Sequence, residues 1–217
     1  MDGAGRQIDL EEAIAAVDPF AGLKRGHYAV IAADPPWHFK TRTNTRQTRA
    51  PSNHYSTMSI GDIKALPVSD LAARNSVLLL WVLNSMLPQG LDVMESWGFA
   101  FKTMAFTWAK TTSKTDCSWA PKFHMGLGYW SRQNSESCLL GVRGKPKRIH
   151  RDVRQLIIAP RREHSRKPDE FFAGVERLLP GPYLEMFARQ IRPGWESWGN
   201  QTDKFAGSPA ITEGARL

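Results

Sequence analysis

Apolar residues fall in short runs separated by polar stretches rich in proline and glycine. The first run, His27 to Ala33 (HYAVIAA), stops at Asp34-Pro35-Pro36. Consecutive prolines cannot donate to a strand ladder, so the pattern predicts a strand that ends there. Val77 to Leu83 (VLLLWVL) is apolar without a break, as in a strand covered on both faces. Met104 to Ala109, Ser137 to Val142, Val153 to Ala159 (stopped by Pro160), Tyr183 to Phe187 and Trp195 to Trp198 are further strand candidates.

Helical signals lie between these runs. Ser59-Ile60-Gly61-Asp62-Ile63 opens one segment, and Met86 to Trp97 forms another, closed by Gly98. Pro168 to Leu179 has Pro at its start and Asp169-Glu170 in its first turn, where acids suit the helix dipole. A short helix is expected at about Leu10 to Val17, behind Glu11 and Glu12. His38 to His54 and residues 111–135 lack periodicity and read as long loops, the first of them mobile. Strands alternating with helices predict an α/β fold: a central, mostly parallel sheet with helices on both faces. Ligands of such sheets sit beyond the carboxyl ends of the strands, so the polar motifs there are the places to look. The expected organisation is a leader at 1–26 packed on the domain, the domain itself at 27–205, and a disordered tail at 206–217.

A chain of 217 residues, 41% hydrophobic, suits one domain with a substantial core. No stretch approaches the ~20 apolar residues of a membrane span. The start of the chain lacks the basic-then-apolar order of a secretory signal. The expectation is a cytoplasmic protein without a membrane partner. Two cysteines and six histidines show no metal-ligand spacing, so no metal is predicted.

Charge changes the picture more than composition does. The formal net charge is +8. Residues 38–54 carry Lys40, Arg42, Arg46 and Arg49 with no acid, and residues 143–167 carry ten Lys/Arg against Asp152 and Glu163. The rest of the chain is therefore net acidic. Concentrated cations of this kind favour a polyanion partner over a merely solvated surface.

The strongest chemical motif is Asp34-Pro35-Pro36-Trp37, directly after a buried strand. An exocyclic amine on a nucleobase is a poor nucleophile, because its lone pair is delocalised into the ring. Acceptors on its two N–H groups would favour a tetrahedral nitrogen with the lone pair aimed at a methyl donor. Asp34 can supply a carboxylate oxygen, and Pro35 or Pro36 a carbonyl held rigid by the fixed φ of proline. Trp37 can stack on the base. Taken alone, the tetrapeptide fits a proline-stiffened turn with a packed Trp equally well.

Ala33 to Trp37 (ADPPW) resembles the catalytic motif of amino-methyltransferases, and its Asp-Pro-Pro-Trp form is similar to the MT-A seventy-like family of adenine amino-methyltransferases. Further motifs occur in that family's order: HYSTMS (54–59), LLLWVL (78–83), FTWAK (106–110), ESCLLGVRGKP (136–146), SRKPDE (165–170), LEMFAR (184–189) and WGNQ (198–201). The resemblance covers Tyr28 to Gln201. It implies a Rossmann-like class I methyltransferase fold, circularly permuted so that the catalytic motif precedes the cofactor motif. It implies S-adenosyl-L-methionine as cofactor, held by Asp34, Lys167, Phe187, Arg189, Asn200 and Gln201. Lys167 resembles a family lysine near both the cofactor and the target adenosine, and could meet the methionine carboxylate or cap the sheet edge; Gly199-Asn200 is also a turn signal in its own right. On the substrate side the resemblance points to Tyr55 in a loop over the acceptor. Arg162 is read as a nucleic-acid contact, His164 as contact or structure, and Arg46 and Arg49 as phosphate-binding side chains of the basic loop. The interval Gln190 to Trp195 is shorter than in some members and lacks their histidine, so a cofactor contact there is missing or replaced.

The function so implied is N6-adenine methylation of nucleic acid, with the base flipped into a pocket behind Trp37. DNA is favoured over RNA by chain size and loop charge. RNA methylation keeps the same chemistry, and a catalytically silent nucleic-acid-binding subunit is the alternative of a different class. Cytosine and protein-glutamine enzymes usually carry Ser-Pro-Pro and Asn-Pro-Pro-Tyr motifs. The pattern leaves room for a homodimer or a partner subunit.

Overall fold

The computed structural model describes residues 18–38, 57–112, 122–126, 128, 130–163 and 166–205. The helix expected near Leu10, nearly all of the 38–54 loop, much of 111–135 and the tail at 206–217 lie outside them.

Seven strands form one sheet: β1 (Tyr28–Ala33), β2 (Ala72–Val82), β3 (Ala100–Thr111), β4 (Ser135–Arg143), β5 (Leu156–Pro160), β6 (Tyr183–Met186) and β7 (Trp195–Trp198). Their order across the sheet is β5-β3-β4-β2-β1-β6-β7. The pairs β1–β2, β1–β6, β6–β7 and β3–β5 are parallel, whereas β4 is antiparallel to both β2 and β3. Six strands therefore run one way and β4 alone runs back. The carboxyl ends of the six and the amino end of β4 meet on one edge.

Four helices among the described residues cover the two faces: α1 (Ile60–Ala65), α2 (Val68–Leu71), α3 (Leu87–Ser96) and α4 (Asp169–Leu178). Ser59 caps α1, its hydroxyl accepting from the Asp62 amide. On one face Ile63, Val68, Leu71, Val93, Met94 and Trp97 from α1–α3 and the residue that follows pack on Ile31, Leu78, Leu80 and Leu184. On the other, Phe171, Phe172 and Val175 of α4 pack on Val30, Val77, Leu79, Phe106 and Ile157. Adjacent positions of β1 and β2 go to opposite faces, so both strands are apolar throughout. This is a Rossmann-like α/β sheet with helices on both sides. No helix among the described residues is long and apolar enough to cross a membrane.

The expected elements are present with different ends. β2 begins at Ala72 rather than Val77, because its polar start still pairs with Tyr28 of β1 across a register shift. β3 extends over twelve residues, held on both sides by β4 and β5. Pro160 is the last residue of β5 rather than its breaker, which an edge strand tolerates. Helix α2 and the 3-10 turn Asn84–Met86 have too few residues to leave a periodic signal.

Candidate active site

Asp34 follows β1, whose last residue, Ala33, pairs with Leu80 of β2 and Met186 of β6. The motif after it is tightly tied. The Trp37 amide donates to the Pro35 carbonyl at 2.8 Å, and the Met58 amide donates to the Pro36 carbonyl at 2.9 Å. A carbonyl oxygen has two lone pairs, so each still has one acceptor position to offer. The Trp37 indole is 4% exposed and donates from Nε1 to the Trp81 carbonyl at 3.0 Å.

A chain of alternating charges leads away from Asp34. Lys167 Nζ lies 2.7 Å from Asp34 Oδ2 and 3.0 Å from Glu136 Oε2. Glu136 Oε1 in turn pairs with Lys110. Lys167 lies over the Trp81 ring at 5.0 Å, and Lys110 over Trp108 at 4.8 Å. Burial disfavours the Lys167 ammonium, but Asp34 and Glu136 outweigh it and raise its pKa. Burial likewise opposes ionisation of Glu136, yet Lys167 and Lys110 bring its pKa down to about 2. Asp34 is shifted up, chiefly by burial, with Lys167 opposing. The result is four charges, two of each sign, fixed in one low-dielectric row.

Beside this row opens a cleft of about 340 Å³, counting its mouth, lined by Asp34, Lys167, Glu185, Phe187, Arg189, Arg192 and neighbours. Phe187, just after β6, has φ of 60° and is the one non-glycine residue with positive φ among the described residues. That conformation costs roughly 1–2 kcal/mol for an L-residue, and here it turns the chain at the cleft wall. Gly199, at the end of β7, lies against the same turn, where an added Cβ would come within 2.8 Å of the Ala188 carbonyl oxygen. Glu185 is pushed up to about 7 by burial, and its Oε2 has no hydrogen-bond partner among the described residues.

Asp34, Lys167, Phe187 and Arg189 thus share one cleft, with Trp37 packed behind the motif. Asn200 is exposed and Gln201 half-buried, on the turn that follows Gly199 rather than in the lining. Arg162 is 9% exposed and pairs with Asp169 at 2.6 Å, and Arg192 joins the same carboxylate at 3.0 Å. Burial would raise Asp169, but the two arginines hold it low. Arg46, Arg49, Tyr55 and His164 lie outside the described residues. Among the described residues no group of three or more His, Cys, Asp or Glu is placed to hold a metal ion.

Sequence reasoning assigned no role to Lys110, Glu136, Glu185, Arg166 or Arg192. A signal existed for the first three. Lys110 shares its strand face with Phe106 and Trp108, Glu136 with Cys138, and Glu185 with Tyr183, all on the α4 side of the sheet. A charge at a core-facing parity, at the end of a strand, marks a site. Asp34 follows the same parity as Val30 and Ala32.

The chain matches the MT-A70 family model over residues 28–201. It is 32% identical over 195 residues to an N(6)-adenosine-methyltransferase MT-A70-like protein of Arabidopsis thaliana, an alignment covering 88% of this chain and 26% of that protein. It is 29% identical over 182 residues to the human N(6)-adenosine-methyltransferase catalytic subunit METTL3, covering 82% of this chain and 29% of METTL3. Against the type II methyltransferase M.MunI of a Mycoplasma species the identity is 28% over 198 residues, covering 83% of this chain and 80% of that protein. The chain thus spans about a quarter of the plant and human relatives and most of the bacterial one. It belongs to the MT-A70 family.

Proposed function

We propose that this protein is an S-adenosyl-L-methionine-dependent N6-adenine methyltransferase acting on nucleic acid, DNA in preference to RNA. The observation that carries the reading is Asp34: a carboxylate at the end of a central strand, clamped through Oδ2 to a buried lysine and open to a cleft. That clamp directs Oδ1 to an incoming amine as hydrogen-bond acceptor. The second N–H goes to the remaining lone pair on a Pro35 or Pro36 carbonyl. With both hydrogens held, the nitrogen lone pair points along one line.

The cofactor fits the residues present. The cleft lining joins charged side chains to aromatic ones, Phe172, Phe187 and Phe205. Phe187 offers a wall for an adenine ring, and Glu185, an orphaned buried acceptor, suits ribose hydroxyls. Lys167, Arg189 and Arg192 would hold a carboxylate. When bound, S-adenosylmethionine supplies an electrophilic methyl group on a sulfonium. Asp34 would take up the amine proton given off on methylation and pass it to solvent. Orientation contributes most of the acceleration. The base is flipped from its stack to reach Asp34.

RNA is the second reading, favoured by relatives whose names specify adenosine methylation. METTL3 is named as a subunit, and for this chain a second copy or a partner subunit is compatible with the site. The test is transfer of labelled methyl from S-adenosylmethionine to matched duplex DNA, single-stranded DNA and RNA, followed by nucleoside identification. N6-methyladenine from DNA is the expected product. Label in RNA alone would overturn the substrate choice, and cofactor binding without transfer to any polymer would point to a silent subunit.

A further inference from the structure

The basic stretch at 143–167 does not lie on one side of the molecule. Because β4 runs back across the sheet, its two ends lie at opposite edges. Glu136 is at the Asp34 edge, whereas Arg143 is seven residues along the strand, about 23 Å away. The connection from Arg143 to β5 is therefore a strap that starts at the far edge and runs back along the outer side of the sheet, coming level with Ser137 at Leu156, since Thr107 pairs with both. Arg161, Arg162, Arg166 and Lys167 return to the site only after β5.

The strap, residues 144–155, holds Lys145, Lys147, Arg148, Arg151 and Arg154, all exposed. Asp152, its sole acid, is engaged in a two-pronged pair with Arg177. None of the five cations forms an ion pair with the described residues. The strap is pinned rather than loose. The Lys145 amide donates to Asn75 Oδ1 at 2.9 Å and the Ile149 amide to the Leu178 carbonyl at 2.8 Å. The Thr107 amide donates to the Gln155 carbonyl at 2.9 Å. At the start of the strap Gly144 has φ of 66°, and an added Cβ would meet the Arg74 carbonyl oxygen at 2.4 Å. Exposed Arg74 and Lys102 lie at the same edge, at the beginnings of β2 and β3.

Five like charges fixed on a rigid strap repel one another, and solubility alone would be served by charges of mixed sign. We propose that this strap is a second nucleic-acid-binding surface, separate from the active site, that holds the phosphodiester backbone of the substrate away from the target base. The identity of the polyanion rests on the function proposed above. The start of the strap sets the longest reach: about 23 Å corresponds to roughly seven base pairs of duplex. Substrates shorter than this cannot extend from the catalytic edge to the start of the strap.

The test compares the full chain with a variant carrying Lys145→Gln, Lys147→Gln, Arg148→Gln, Arg151→Gln and Arg154→Gln. Binding to labelled duplex DNA and to single-stranded RNA is measured by anisotropy across a salt series, without cofactor. The expected result is at least roughly tenfold weaker binding of one polymer. Its log-log salt slope should be shallower by about three or more, since each phosphate contact contributes about 0.7–0.9. The arm that responds identifies the polymer. Methyl transfer to a hairpin with a stem of about six base pairs should fall far less than binding of the long polymer, which also shows that the variant is folded. The triple variant Arg148→Gln, Arg151→Gln, Arg154→Gln should change binding in the same direction by less. Parental affinity and slope on both polymers would overturn the strap proposal, even if methylation proceeds. A strap-dependent slope in a protein that methylates no polymer would leave the surface standing and remove the proposed function instead.

Discussion

The two edges of the sheet use charge in opposite ways. At the edge where Asp34 lies, Lys110, Glu136, Lys167 and Asp34 alternate in sign and sit against Trp81 and Trp108. On the strap that leads from the far edge back to β5, five cations at 144–155 are exposed and unpaired among the described residues. Buried charges need partners, because desolvation costs several kcal/mol per ion and only close pairing offsets it. What such a row provides is geometry. Exposed like charges fix no geometry, but their field extends about a Debye length, roughly 8–10 Å at ordinary salt. Orientation is therefore concentrated at one edge and attraction at the other.

Breaking the paired edge should have the largest effect. Asp34→Ala is expected to lower methyl transfer by roughly a thousandfold or more, comparable to loss of a preorganised transition-state contact. Lys167 retains Glu136 in that variant, so the fold should be kept, and calorimetric cofactor binding should weaken far less than turnover. Retained turnover would remove Asp34 from the mechanism.

Next in size is Glu136→Gln, which leaves Lys110 and Lys167 facing one another without the carboxylate between them. Breaking a buried pair costs about 3 kcal/mol or more, readable as a lower urea midpoint at neutral pH. The parent should also lose this contribution in acid. With a folded pKa of about 2 against an ordinary 4.5, the Glu136 stabilisation is complete above pH 4.5 and disappears as the pH falls toward 2. Glu136→Gln should flatten that limb, and an unchanged acid limb would mean that the row is not a stabilising unit.

Glu185 has the reverse sign. Its folded pKa of about 7 lies above the ordinary 4.5, so stability is full below pH 4.5 and falls as the pH rises through 7. Glu185→Gln should remove this loss, making the variant more stable than the parent above pH 7 by of the order of 2 kcal/mol. Below pH 4.5 the two should melt alike. Saturating S-adenosylmethionine should stabilise the variant less than the parent if the carboxylate meets the ribose, and thermal shifts with and without cofactor measure that difference.

Much of this architecture was legible in advance, for physical reasons. Strands such as Val77 to Leu83 are apolar on both faces because helices cover both, and that leaves an unbroken run. The Asp34 to Trp37 motif stood out because prolines cannot continue a central strand. The charged row was legible only in part. Its members are far apart in the chain, and Lys110 and Glu136 look like ordinary polar strand ends until their parity is set against Trp108 and Cys138. The division of the 143–167 stretch was not legible at all. It depends on the reversal of β4, and no local pattern separates an antiparallel strand from its parallel neighbours. As one continuous basic segment the stretch flanks the active site, whereas the sheet starts it at the opposite edge and returns it to the site only at β5.

The smallest expected effect is the one that sharpens the contrast most. Arg151→Gln removes one exposed cation from a like-charged strap, and no buried group loses a partner. Surface changes of this kind stay within about 0.5 kcal/mol of the parent. The sign should be positive at low ionic strength, because repulsion from Lys147, Arg148 and Arg154 is relieved. At about 1 M salt, where the Debye length is only ~3 Å, the difference should vanish. Glu136→Gln should show no such recovery, since a buried pair is poorly reached by salt. Thermal melts of both variants at two ionic strengths make the comparison. If Arg151→Gln destabilises the protein by more than a few tenths of a kcal/mol independently of salt, the far edge is held together by its charges, and the division between orienting and attracting edges fails.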